Sequence, residues 1–138
     1  MIATVVVSHG NVGPEMVRIA QSIVRDPTPM IGIALEHDEN VDKIREKITA
    51  AIQQVAQEDG VLLLSDMFGG TPSNLCLSFL EAGKIEVITG VNLPMLIKLA
   101  NYREKKSLFE IATFIRGYGQ KNITLASEML QGTRGSND

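Results

Sequence analysis

The sequence predicts an α/β fold: a doubly wound sheet of four parallel strands with helices on both faces. Two observations carry this. Short apolar runs alternate along the chain with segments whose apolar residues recur at helical spacing. Strict alternation of that kind implies a parallel sheet covered on both sides through right-handed crossovers. In addition, Val61-Leu62-Leu63-Leu64 is an unbroken apolar run of strand length, the composition of a strand buried on both faces.

The elements follow in order. Ile2 to Val7 reads as the first strand, and Met16, Ile19, Ala20 and Ile23 as one face of a helix after it. Met30 to Leu35 is the second strand. Val41, Ile44, Ile48, Ile52 and Val55 then mark a long amphipathic helix with alternating charges on its other face. Gly60 to Ser65 is the third strand, followed by a helix over Leu75 to Leu80 that Gly83 ends. Ile85 to Ile88 is the fourth strand and Leu93 to Ala100 the next helix. Ser107-Leu108-Phe109-Glu110 is a capping box that opens another helix. Ile123 to Ala126 is a last β-like run. With no repeat or linker in view, residues 1–131 form one domain, and the polar stretch 132–138 is expected to be a disordered tail.

Composition narrows the function. The chain is 44% hydrophobic with net charge −3 and a pI near 5.4. It has no basic cluster, which argues against nucleic acid or an anionic membrane as partner. No apolar run reaches membrane-spanning length, and the N-terminal run is too short and lacks the cationic flank of a signal sequence. The single Cys76 reads as a small core residue. One cysteine forms no internal disulfide, so a cytoplasmic location is expected.

In a doubly wound sheet, ligands bind beyond the carboxyl ends of the strands. Ser8-His9-Gly10 lies past the first strand and Asp66-Met67-Phe68-Gly69-Gly70-Thr71-Pro72-Ser73-Asn74 past the third. Gly90-Val91-Asn92-Leu93-Pro94 follows the fourth. Taken singly, each has a plain reading: a turn histidine, a loop-capping carboxylate, ordinary tight turns into helices. Together they suggest a site. A strand, a Gly-Gly turn and a Thr-Pro helix start present backbone N–H groups to an anion. His9 is the candidate nucleophile, and Asp66 the carboxylate that would fix its tautomer. No Walker pattern exists, no G-x-G-x-x-G follows the first strand, and no Lys or Arg stands between Lys47 and Lys84. The anion is therefore expected to be a transient phosphoryl group held by Gly69, Gly70 and the Thr71 hydroxyl, with Ser73 and Asn74 in the first helical turn. His37, among Glu36, Asp38 and Glu39, reads as part of a solvated rim.

These three motifs, in this order, resemble the mannose-type IIA domains of the bacterial phosphoenolpyruvate-dependent sugar phosphotransferase system, in a stand-alone form. The resemblance implies that Nε2 of His9 accepts a phosphoryl group from HPr, with Asp66 near Nδ1, and passes it to a IIB partner in trans. The phosphate would lie against Gly69, Gly70, Thr71 and Ser73, in a pocket supported by Gly10, Phe68, Asn74, Asn92 and Pro94. Neither metal nor cofactor takes part. The resemblance also implies an extra antiparallel strand, which Ile123 to Ala126 would supply, and a homodimer that exchanges it. One departure stands out: Asn11-Val12-Gly13-Pro14 follows His-Gly, so the first helix is expected to begin later. The competing function is a regulatory binding module gated by phosphorylation, with no onward transfer.

Overall fold

A computed structural model of the chain describes residues 1–56, 58–67 and 69–132. Four strands form one parallel sheet: β1 (Ala3–His9), β2 (Met30–Leu35), β3 (Val61–Ser65) and β4 (Ile85–Thr89). Their spatial order is β2-β1-β3-β4. The chain winds outward from β1 to β2, then crosses back to β3, so the order reverses between β1 and β3. Those two strands pair in register from Ala3 opposite Val61 to Val7 opposite Ser65.

Side-chain alternation along the strands supplies two cores. Ile2, Val6, Leu62 and Leu64 pack against α1 (Val12–Ile23), α4 (Leu93–Ala100) and α5 (Leu108–Lys121). Ala3, Val5, Val7 and Leu63 pack against α2 (Val41–Val55) and α3 (Gly70–Leu77). Helices α1, α2, α4 and α5 each bring one apolar stripe, while α3 contributes the neighbours Leu75 and Cys76. In α2 the stripe is Ile44, Ile48, Ala51 and Val55, with Asn40 as N-cap accepting from the Lys43 amide. The expected capping box of α5 is present, with Ser107 and Glu110 bonding reciprocally to each other's backbone. Cys76 is fully buried in the second core, and burial foremost, with the Asp66 charge, pushes its thiol up to about 12. Thr4 is buried in β1, and its hydroxyl has no hydrogen-bond partner among the described residues.

Three expectations need correction. Helix α1 begins at Val12, two residues ahead of the proline expected to mark a later start. Pro14 lies within its first turn, where a missing N–H breaks no intrahelical bond. Close packing holds that turn: a Cβ at Gly32 would stand 2.6 Å from the Pro14 Cα, so only glycine admits the helix there. Helix α3 ends at Leu77, and Gly83 sits at positive φ in the turn between the bridged residues Glu81 and Ile85. The short C-terminal antiparallel strand is absent among the described residues. Ile123 to Leu125 pair with no strand, and Ala126–Leu130 form a short helix, α6. Ala126, Glu128, Met129 and Leu130 are good helix formers, and within one chain the segment has no strand beside it to supply ladder bonds. Residues 133–138 of the expected tail lie outside the described residues.

Candidate functional site

The reversal of strand order sets His9, the last residue of β1, beside Asp66, which follows β3. Asp66 holds His9 twice. Its Oδ2 accepts the His9 backbone N–H at 2.9 Å and lies 3.0 Å from the ring Nδ1, while Oδ1 lies 3.3 Å from Nδ1. Burial pushes the Asp66 carboxyl up. The backbone N–H of His9 and then its ring outweigh that burial, holding the group below the usual carboxylate range. A carboxylate only accepts, so Nδ1 carries the proton and the Nε2 lone pair is free. The His9 side chain is 53% exposed and that of Asp66 18%. The imidazole is therefore anchored on its buried side and open on the other.

The loops around this pair are held by short bonds. The Gly10 amide, at φ +58°, extends the ladder to the Leu35 carbonyl at 2.9 Å. The buried Ser8 hydroxyl accepts from the Gly13 amide at 2.7 Å and donates to the Gly10 carbonyl at 3.0 Å. A Cβ on Gly13 would lie 2.8 Å from that hydroxyl, so glycine leaves the bond its space. In β3 the buried Ser65 hydroxyl donates to the Met67 carbonyl at 3.3 Å. Neither serine is marked out by its residue type alone. The signal was there: each ends an apolar run immediately before a functional candidate.

Beyond Asp66, α3 starts at Gly70, with Gly69 as N-cap at φ +88° and Gly70 at φ +80°. Gly69 has no side chain with which to cap this N-terminus, and among the described residues no other side chain caps it. Its first amides are thus free of the usual internal competitor for an anion. The Ser73 hydroxyl turns back to the Gly69 carbonyl at 3.0 Å, and the residue is buried. Asn74 is exposed. Phe68 and the Thr71 side chain lie outside the described residues.

Asn92 is committed elsewhere. Its Oδ1 caps α4 by accepting from the Met95 amide at 3.1 Å, and its Nδ2 donates to the Gly119 carbonyl of α5 at 3.0 Å. Pro94 is in the first turn of α4. Asn92 therefore braces α4 against α5. A cavity of about 510 Å³ opens beside His9 and Gly10 on the α2 side, lined by Leu35, Glu36, His37, Glu39, Val41 and Ile44. His37 is on its exposed rim, where Glu39 pairs with Lys47. No group of three or more His, Cys, Asp or Glu side chains able to hold a metal occurs among the described residues. No helix there is long and apolar enough to cross a membrane.

Comparison with known proteins places the chain as a whole. The EIIA-man family model, described as the PTS system fructose IIA component, matches residues 3–116. The fructose-specific EIIA component of Bacillus subtilis (strain 168) is 28% identical over 138 residues, covering 99% of this chain and 94% of that protein. The mannose-specific EIIAB component of Escherichia coli (strain K12) is 29% identical over 110 residues, covering 79% of this chain but 34% of the longer protein. Among solved structures, the mannose/sorbose specific IIA subunit from Enterococcus faecalis superposes with a TM-score of 0.78 at 23% identity, covering 89% of this chain and 92% of that one. The PTS IIA protein associated with the fucose utilization operon of Streptococcus pneumoniae gives 0.78 at 23%, covering 94% and 96%. At such identities these two establish the fold alone.

Proposed function

The chain belongs to the EIIA-man family of phosphotransferase-system IIA components, and on that footing we propose that it is a cytoplasmic phosphocarrier whose acceptor is His9. The donor is phospho-HPr and the onward acceptor a IIB component on a separate chain. The observation that carries this is the His9–Asp66 pair: Nδ1 is fixed on a carboxylate at 3.0 Å while the ring is half-exposed.

The step follows from that geometry. The Nε2 lone pair of His9 forms a bond to the donor's phosphorus as the donor's N–P bond breaks, and the electron pair returns to the donor imidazole. The Nδ1 proton stays in place. Positive charge that develops on the His9 ring is met by the Asp66 carboxylate. The uncapped N-terminus of α3, at Gly69 and Gly70, offers amides to the phosphoryl oxygens. Because no Lys or Arg interrupts the sequence from Lys47 to Lys84, this segment brings no fixed positive charge that would hold the group against departure.

We also assign the protein as a homodimer. Beyond the bridge from Ile85 to Glu81, no strand lies along the outer edge of β4 among the described residues, and all five residues of β4 are half-buried. A groove of about 390 Å³ runs between it and α5. Ile123 and Leu130 are 76% and 80% exposed. In the dimer, residues 123–130 of each copy cover the groove of the other.

The deciding test is incubation with phosphoenolpyruvate, enzyme I and HPr, followed by mass measurement. The expected result is a gain of one acid-labile phosphoryl group that His9→Ala abolishes. No gain, or a gain that survives the substitution, overturns the assignment.

A further inference from the structure

Both members of the His9–Asp66 pair are preceded by a fully buried serine at the end of its strand, Ser8 on β1 and Ser65 on β3. The hydroxyls do the same thing. Each donates to the carbonyl two residues on, Ser8 to Gly10 at 3.0 Å and Ser65 to Met67 at 3.3 Å, so each closes a loop around one member of the pair. They do so from opposite faces of the sheet, because Ser8 shares the alternation of Val6 and Ser65 that of Leu63. Ser8 is bound further: its oxygen accepts the Gly13 amide at 2.7 Å, tying the start of α1 to the strand that ends in His9. The Ser65 carbonyl accepts from the Gly90 and Val91 amides, both at 3.0 Å, tying the turn after β4 to the strand that leads to Asp66.

We propose that Ser8 and Ser65 are positioning residues that set the distance and angle between the His9 ring and the Asp66 carboxylate, and so the tautomer of His9. Neither touches the reacting atoms. The physical case is one of freedom. His9 and Asp66 stand where regular ladder bonding stops, and the pair is partly open to water, so the bond between them competes with solvent. A backbone bracket on each side removes the loop freedom that would let Nδ1 exchange the carboxylate for water. Simple packing needs no hydroxyl at either position; a buried hydroxyl with a fixed acceptor does more than fill space.

This inference rests on His9 being the phosphoryl acceptor only for its kinetic arm, and the test separates the two. The full chain is labelled with 15N, and the His9 ring nitrogens are read by long-range 1H–15N correlation in the wild type, Ser8→Ala, Ser65→Ala and the hydroxyl-retaining Ser8→Thr. The wild type is expected to hold the proton on Nδ1. In each alanine variant the Nδ1–H population falls, and transfer from phospho-HPr slows by about ten- to a hundredfold. Ser8→Thr restores both more fully than Ser8→Ala. Alanine variants that lose stability yet keep the wild-type tautomer and rate while folded overturn the proposal, since that is what packing alone predicts. Should Ser8→Ala not fold, Ser65→Ala decides: a displaced tautomer supports the proposal and an unchanged one overturns it. A wild type that takes no phosphoryl group but shows the tautomer shifts refutes the phosphocarrier reading and leaves the positioning role standing.

Discussion

The carboxyl ends of β1 and β3 and the outer side of β4 treat their exposed groups in opposite ways. At the first, the chain completes its own bonding. His9 is held by backbone and ring on Asp66, Gly10 by Leu35, and Gly13 by Ser8. At the second, the strand edge beyond Ile85 has no strand beside it among the described residues, and Phe109 and Ile123 stand 71% and 76% exposed along the groove there. A site whose partner must leave after each encounter can be finished within one chain. A groove of mixed lining beside an open strand edge, with exposed apolar side chains along it, is finished by something that stays.

The sharpest way to break that contrast lies at the finished end. Asp66→Asn is expected to slow phosphoryl transfer by about 10²- to 10⁴-fold, because the amide can present a donor to Nδ1 and favour the wrong tautomer. Initial rates of phosphate incorporation measure this, and a wild-type rate would remove Asp66 from the step. Next in size is Leu64→Ala, in the fully buried β3, expected to cost about 2–5 kcal/mol in denaturant unfolding. Phe109→Ala on the groove, measured at concentrations where the protein is monomeric, should stay within about 0.5 kcal/mol. Equal costs would mean that the groove is already filled by the chain itself.

The open side has its own test. Leu125→Asp should weaken self-association by at least about tenfold, near 1.4 kcal/mol, in sedimentation equilibrium, with phosphate uptake on His9 unchanged. A monomeric wild type would defeat it. Smaller again is Thr4→Val, which removes a buried hydroxyl that has no partner among the described residues. It should stabilise by about 1 kcal/mol, and a loss in the thermal midpoint would reveal a bond to that oxygen. The least effect is on pH dependence. A depressed carboxyl adds stability that is present above its unfolded pKa, near 3.9, and lost as pH falls through the lower folded value. Asp66→Asn should therefore flatten the acid limb of stability below about pH 4, read from unfolding midpoints across that range.

What could be read from the residues alone divides along the same line. Strands β1 and β3 and helix α2 were legible because burial on one or two faces imposes a period on the sequence. The pairing of His9 with Asp66 was legible from a general rule about sheet edges rather than from the intervening residues. The start of α1 was not, because Pro14 suits a helix start and also suits the third position of one. The contact that decides it is made by Gly32, on another strand. Ile123 to Ala126 carries a β-like run, yet a strand needs a neighbour, and none stands beside this segment among the described residues. Ser8 and Ser65 escaped because their acceptors are carbonyls whose positions depend on turns that the residue types do not specify.

The burial of Cys76 has a practical side. A thiol sealed in the core, with its ionisation pushed up to about 12, presents almost no thiolate to a reagent at neutral pH. To alkylating dyes the folded chain is expected to behave as though it had no cysteine. A new cysteine at position 123 or at position 12 would then be the sole point of attachment. Fluorescence or spin probes could follow self-association at one place and docking near His9 at the other, with the native cysteine left where it is.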